Sequence, residues 1–149
     1  RQAFENIMHA LLLNQSVYMP LTHLMIPLEW QGKMMFSEVW IDPDAENHGK
    51  GRATKERTVR LLLKFDIQDL GLFDTVIELH GEKTVNLRIA FPEKLSPVKK
   101  NIQSGVTAIL KKCGLEPQNV VTEVMRQPIG LSEVFPHLYE RKNSINVSI

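Results

Sequence analysis

Val59, Leu61, Leu63, Phe65 and Ile67 alternate without a miss, Phe73, Ile77 and Leu79 follow in the same phase, and Val85, Leu87, Ile89 and Phe91 repeat it. Period two is the signature of a strand that turns one face to a core. These segments therefore read as strands sharing one apolar face built from odd-numbered residues. A slip of one residue would turn that face to water, so facing partners on the last two strands must have numbers that sum to an even value. An odd-length loop, Gly81-Glu82-Lys83, satisfies this and sets Leu79 opposite Val85, Ile77 opposite Leu87 and Phe73 opposite Phe91. The other face, with Asp74, Glu78, His80, Thr84, Asn86 and Arg88, is expected to be wet.

The spacing then changes to that of a helix. Ser96-Pro97 reads as an N-cap followed by proline at the first helical position, and Val98, Ile102, Val106, Ile109, Leu110 and Cys113 recur on one side until Gly114. This stripe is expected to lie on the odd face. Upstream, Phe4, Ile7, Met8, Leu11 and Leu12 also fall on one helical face, predicting an N-terminal amphipathic helix. Leu24, Ile26, Leu28 and Trp30 alternate again, and Pro27, unable to donate to a ladder, marks that strand as an edge. Gln31-Gly32-Lys33 reads as the loop of a hairpin whose second strand runs through Val39, Trp40 and Ile41 to Asp42-Pro43. From Asp42 to Glu56 no large apolar residue occurs, the composition of a solvated loop. Val120 to Met125 predicts a further short strand, and Ile145 to Ile149 alternates weakly. The chain thus reads as one α+β domain over 1–149: helix and hairpin in 1–41, a flexible loop in 42–56, a core in 57–127 and an extension in 128–149. Its architecture is expected to be an antiparallel sheet with one amphipathic helix packed on a face.

Chemistry is harder to find. The longest apolar runs, such as Leu11 to Leu13, fall far short of the roughly 20 residues a bilayer requires, so no membrane insertion is expected. Residue 1 is Arg and no signal peptide is visible, so the sequence reads as a fragment of a longer chain. The histidines His9, His23, His48, His80 and His137 lack both helical pairing and cysteine neighbours, so no metal is expected. Asp42, Asp44 and Glu46 alternate like the start of a calcium loop, but Asn47 and Ala53 stand where such a loop needs Gly and Glu. Gly49 to Lys55 has the letters of a phosphate loop in the wrong order and precedes a strand. Cys113 falls in phase with the apolar stripe and reads as a small core residue. No cofactor and no enzymatic activity are expected. Five basic residues and one acid lie between Lys50 and Arg60, and Lys94, Lys99, Lys100, Lys111 and Lys112 flank or line the second helix. These support an alternative reading as a polyanion or nucleic-acid binder, weakened by the absence of interleaved aromatics for base stacking. An enzyme with a widely spread site is a third reading.

From Thr58 to Val124 the order is an alternating strand, Ile67-Gln68-Asp69-Leu70-Gly71, two more alternating strands, an amphipathic helix, Cys113-Gly114-Leu115 and a short strand. That order resembles the C-terminal domain family of the flagellar hook-length control protein. Ile26 to Trp30 and Glu38 to Ile41 look like the upstream portion of its Gram-positive relatives. The usual form has a proline shortly before the Leu-Gly step, where this chain has Gln68 and Asp69. The resemblance implies a bacterial cytoplasmic protein exported through the flagellar type III apparatus. Its C-terminal domain would contact the cytoplasmic domain of the export switch protein and so change substrate specificity from hook to filament subunits. The mechanism it implies is recognition in place of catalysis. On physical grounds Gln68, Asp69, Leu70, Gly71 and Leu72 are the expected partner-binding segment, because Gly71 permits a backbone conformation that a β-carbon would penalise; a plain tight inter-strand turn at Leu70-Gly71 is the other reading.

Overall fold

The computed structural model describes residues 21–45 and 57–140. The predicted helix at 4–12, the loop from 46 to 56 and the alternation at 145–149 lie outside the described residues. Strands β1 (Thr22–Trp30), β2 (Lys33–Asp42), β3 (Thr58–Ile67), β4 (Gly71–His80), β5 (Thr84–Phe91) and β6 (Glu116–Val124) form a six-stranded sheet in that spatial order. Neighbours from β1 to β5 run antiparallel, whereas β6 runs parallel to β5. The sheet is therefore mixed and not antiparallel throughout. A helix carries the chain from the end of β5 back to its start, and a strand entered by such a crossover must run the same way as the strand before it.

The derived register is present where the ladder runs. Leu79 faces Val85 and Ile77 faces Leu87 across the 81–83 loop. The ladder stops at Asp74 and Ala90, so Phe73 and Phe91 are not a paired rung, although both are buried in the same cluster. The β1–β2 turn is shorter than expected: Gln31 and Gly32, both with positive φ, make it alone, and Lys33 already pairs with Trp30. Two left-handed residues give the turn the twist of the strands they join. Asp42 is the last residue of β2 and fully buried, so the loop begins after it.

The odd face holds Phe73, Val85, Leu87, Ile89 and Phe91, closed over by helix α1 (Lys99–Lys112) through buried Leu110 with Ile102 and Val106. The start of α1 differs from the expectation. Glu93–Val98 forms a 3₁₀ turn entered from Pro92, and Ser96 makes no capping bond. Winding begins before Ser96, so no orphan amide waits for its hydroxyl. The predicted stripe is also too wide. Ile109 is 62% exposed, Val98 is 40% exposed and Cys113 lies at the surface. The buried line is the i+4 series Ile102, Val106 and Leu110; Ile109 stands about 100° round the helix from it. Cys113 ends α1, and Gly114, at φ +79, returns Leu115 to the core.

The other face is not wet throughout. Leu62, Ala90 and Leu21 are buried there under Ile129, Val134 and Phe135, with Trp40, Val76 and Met125 packed against them. The covering strap runs from Ile129 through two single turns, α2 (Leu131–Val134) and α3 (His137–Glu140). It covers the even-numbered apolar residues that the odd phase passes over. Polar groups fasten it. Asp74, 3% exposed, accepts from Lys64 Nζ at 2.8 Å and from the Ile129 amide at 2.7 Å through one oxygen. Arg88 pairs with Glu133 at 2.6 Å, and Arg60 donates to the Val134 carbonyl at 3.1 Å.

The two neighbouring helix positions separate cleanly by experiment. Leu110→Asp should cost about 3 kcal/mol or more by burying an unpaired carboxylate, while Ile109→Asp should cost less than about 1 kcal/mol. Urea denaturation of both variants checks this.

Candidate functional site

Three features meet at one end of the sheet: the β1–β2 turn, the β3–β4 connection and the exit from β5. The connection Gln68-Asp69-Leu70 carries most of the predicted partner-binding segment. Ile67 pairs with Gly71, and the Leu70 amide donates to the Ile67 carbonyl at 2.9 Å. Asp69 takes φ +72 and Gly71 φ +103, so the turn rests on two left-handed residues. A β-carbon on Gly71 would come within 3.0 Å of Pro92 Cγ. Glycine is required there both by its own backbone and by the Pro92 ring. Lys94 Nζ donates to the Asp69 carbonyl. Leu70 packs into the odd-face core, Gln68 and Asp69 are exposed, and Leu72 is 52% exposed. The segment is thus a braced protrusion and not a loose loop.

What sequence reasoning missed is the surface beside it. The β2–β3 ladder ends at Ser37 and Phe65. Continuing that register sets Phe36 beside Asp66 and Met34 beside Gln68, and Asp66 pairs across to Leu72. Met34 is 68% and Phe36 58% exposed, on the same even face as Leu72 and beyond the reach of the strap. Trp30, 47% exposed, pairs with Lys33 on the opposite face and reaches the groove beside the row from the turn. Trp30, Met34, Phe36, Asp66, Gln68 and Asp69 line a groove of about 300 Å³. A second depression, about 510 Å³, lies on the other side of the segment between Leu72, Pro92, Lys94 and Met125. The signal was available: in β2, Met34 and Phe36 are even-numbered apolar residues next to a turn.

The polar half of the even face has a different character. Arg60 Nε lies 2.8 Å from Glu78 Oε1, and Arg88 sits between Glu123 and Glu133. His80 joins Thr58 at 3.2 Å to Asn86 at 3.3 Å. Asp42 Oδ2 stands 3.3 Å from His137 Nε2 and binds α3 to the end of β2. Of these, Arg88–Glu133 and Asp42–His137 tie the strap to the sheet, and the others link neighbouring strands. Arg60, at the edge of the basic stretch, is committed to Glu78 and to the strap. Among the described residues no group of three or more His, Cys, Asp or Glu side chains gathers to hold a metal. No helix among them is long and apolar enough to cross a membrane.

Gly71→Ala tests the brace. It combines a strained φ with the Pro92 approach and should cost about 2–3 kcal/mol. Gly81→Ala, at φ +61 in open space, should cost about 1 kcal/mol. Thermal or urea unfolding compares them. Similar losses would mean that the Pro92 approach relaxes freely.

Compared with protein-family models, curated proteins and solved structures, the chain matches none of them.

Proposed function

We propose that the chain is a non-enzymatic interaction domain that works as a substrate-specificity switch in flagellar type III export. Its partner in this reading is the cytoplasmic domain of the export switch protein. The reading rests on the resemblance carried by the Thr58 to Val124 order, with its Leu70-Gly71 step. The structural observation that supports it is the exposed even-face row Met34, Phe36 and Leu72, with Trp30 lining the same groove from the turn, beside the Gln68–Leu72 segment. Clustered exposed apolar side chains mark contact surfaces on soluble domains, and Trp, Phe and Met are enriched at the centres of interfaces. The protrusion gives shape, the row gives buried area, and Asp66 and Asp69 give a polar rim. In this reading the protein acts in the bacterial cytoplasm and is itself exported through the flagellar apparatus.

Titration calorimetry against the purified switch-protein cytoplasmic domain tests the proposal. Binding should be weak, and Phe36→Ser with Leu72→Ser should reduce affinity by tenfold or more. Reversing Lys50, Arg52 and Lys55 should leave it within about twofold. A polyanion binder gives the opposite pattern: retention on DNA that falls steeply with salt and collapses on charge reversal. That pattern, with no contact to the switch domain, would overturn the proposal.

A further inference from the structure

The odd face is wider than the helix that covers it. α1 packs against β6, and its cluster extends no farther across the sheet than Phe65 and Ile67 at one end of β3. Leu24, Ile26, Ile41, Leu61 and Leu63 carry the same face on across β1, β2 and β3 and belong to neither apolar cluster. Five half-buried aliphatic side chains on adjacent strands form an apolar floor beside α1. Val39, in the middle of that floor, is only 5% exposed, although the described helical turns that reach β2 do so at Trp40 and Asp42 on its other face.

We infer that this floor is the docking surface for the chain's own N-terminal segment, with Phe4, Ile7, Met8, Leu11 and Leu12 laid as a helix across β1–β3, side by side with α1. Residues 1–20 contain only two charged side chains, Arg1 and Glu5, so little holds the segment in water. A nine-residue helix is not stable alone, and its amphipathic pattern has a physical use only against an apolar partner. The geometry permits it. Residues 13–20 connect the stripe to Leu21, which is itself buried at the start of β1. Eight residues extended reach roughly 25 Å, while β1 to β3 span about 10 Å and the helix is about 14 Å long. The short tether also sets an effective concentration near the millimolar range, which favours this segment over a second copy of the chain. The two helices would then share the odd face and leave the even-face row of Met34, Phe36 and Leu72 free. The inference stands apart from the switch reading, since its test involves no partner.

A nitroxide on Asn6→Cys, in a Cys113→Ser background, places the probe opposite the apolar stripe. Methyl resonances of Leu24, Ile26, Leu61 and Leu63 should broaden, and those of Leu131 and Val134 on the far face should not. Adding Ile7→Asp and Leu11→Asp should abolish the broadening and raise amide exchange in β1 and β2 at least tenfold, with β4 to β6 unchanged. Absence of broadening in the single-cysteine protein overturns the inference. So does broadening seen only between labelled and unlabelled chains in a mixture, which would assign the floor to a second copy. The single-cysteine measurement decides the question even if the double aspartate variant fails to fold.

Discussion

The buried carboxylate of Asp74 marks the boundary between a covered half and a bare half of the even face of the sheet. Asp74 lies on β4 with 3% of its surface exposed, and its Oδ2 atom accepts from both Lys64 Nζ and the Ile129 amide. Burying a charge is costly unless it is paired and hydrogen-bonded, and here one oxygen receives an ammonium and a backbone donor. The lysine comes from the neighbouring strand; the amide comes from the strap, 55 residues along the chain. Ile129 is therefore held at the point where the strap meets the sheet. From there Val134 and Phe135 reach Leu62 and Ala90, and Arg60, Arg88 and Asp42 fasten the rest. From Ile129 the described strap runs away from the turn between β1 and β2, toward Arg60 and Asp42, and so leaves Met34, Phe36 and Leu72 uncovered.

The odd phase was legible because it is enforced by one strong rule. A misplaced register would expose Leu79, Ile77, Val85 and Leu87 together, so a parity argument could fix the β4–β5 pairing without coordinates. The helix was legible in existence and less so in face. Ile109 and Leu110 are equally apolar, and only packing against β6 and Leu115 decides which one is buried. The strap was not legible. Its anchors, Ile129, Val134 and Phe135, are few and interrupted by Pro128, Gly130 and Pro136, and its polar ties cross large sequence separations. Leu62, Val76 and Ala90 were the available signal, since apolar residues on the supposed wet face require a cover. The mixed direction of the sheet was a matter of topology, not of pattern, because a short strand after a helix reads the same in either orientation.

The candidate site was legible in part. A Leu-Gly step between strands pointed to a glycine with unusual backbone, and Gly71 has φ +103 against Pro92. The sequence did not reveal that the hairpin tip lies next to this turn, because that adjacency depends on how far β2 extends past the end of its ladder with β3. The functional reading needs both parts. The turn alone is a small polar protrusion; Trp30, Met34 and Phe36 beside it supply the apolar area that recognition of a protein surface requires. Few polar pairs elsewhere compete for that role, since the arginines and glutamates of the even face are engaged with each other and with the strap.

The measurement that tests this account most directly is native-state hydrogen exchange at the Ile129 amide in the wild-type protein and in Asp74→Ala and Asp74→Asn. The account predicts that the wild-type amide exchanges only with large-scale opening. Asp74→Ala should lose that protection, with a stability loss of about 2–3 kcal/mol, while Asp74→Asn should retain much of it by accepting the same bond. An Ile129 amide that exchanges rapidly in the wild type, or one indifferent to Asp74→Ala, would contradict the claim that Asp74 anchors the strap and sets the boundary of the bare surface.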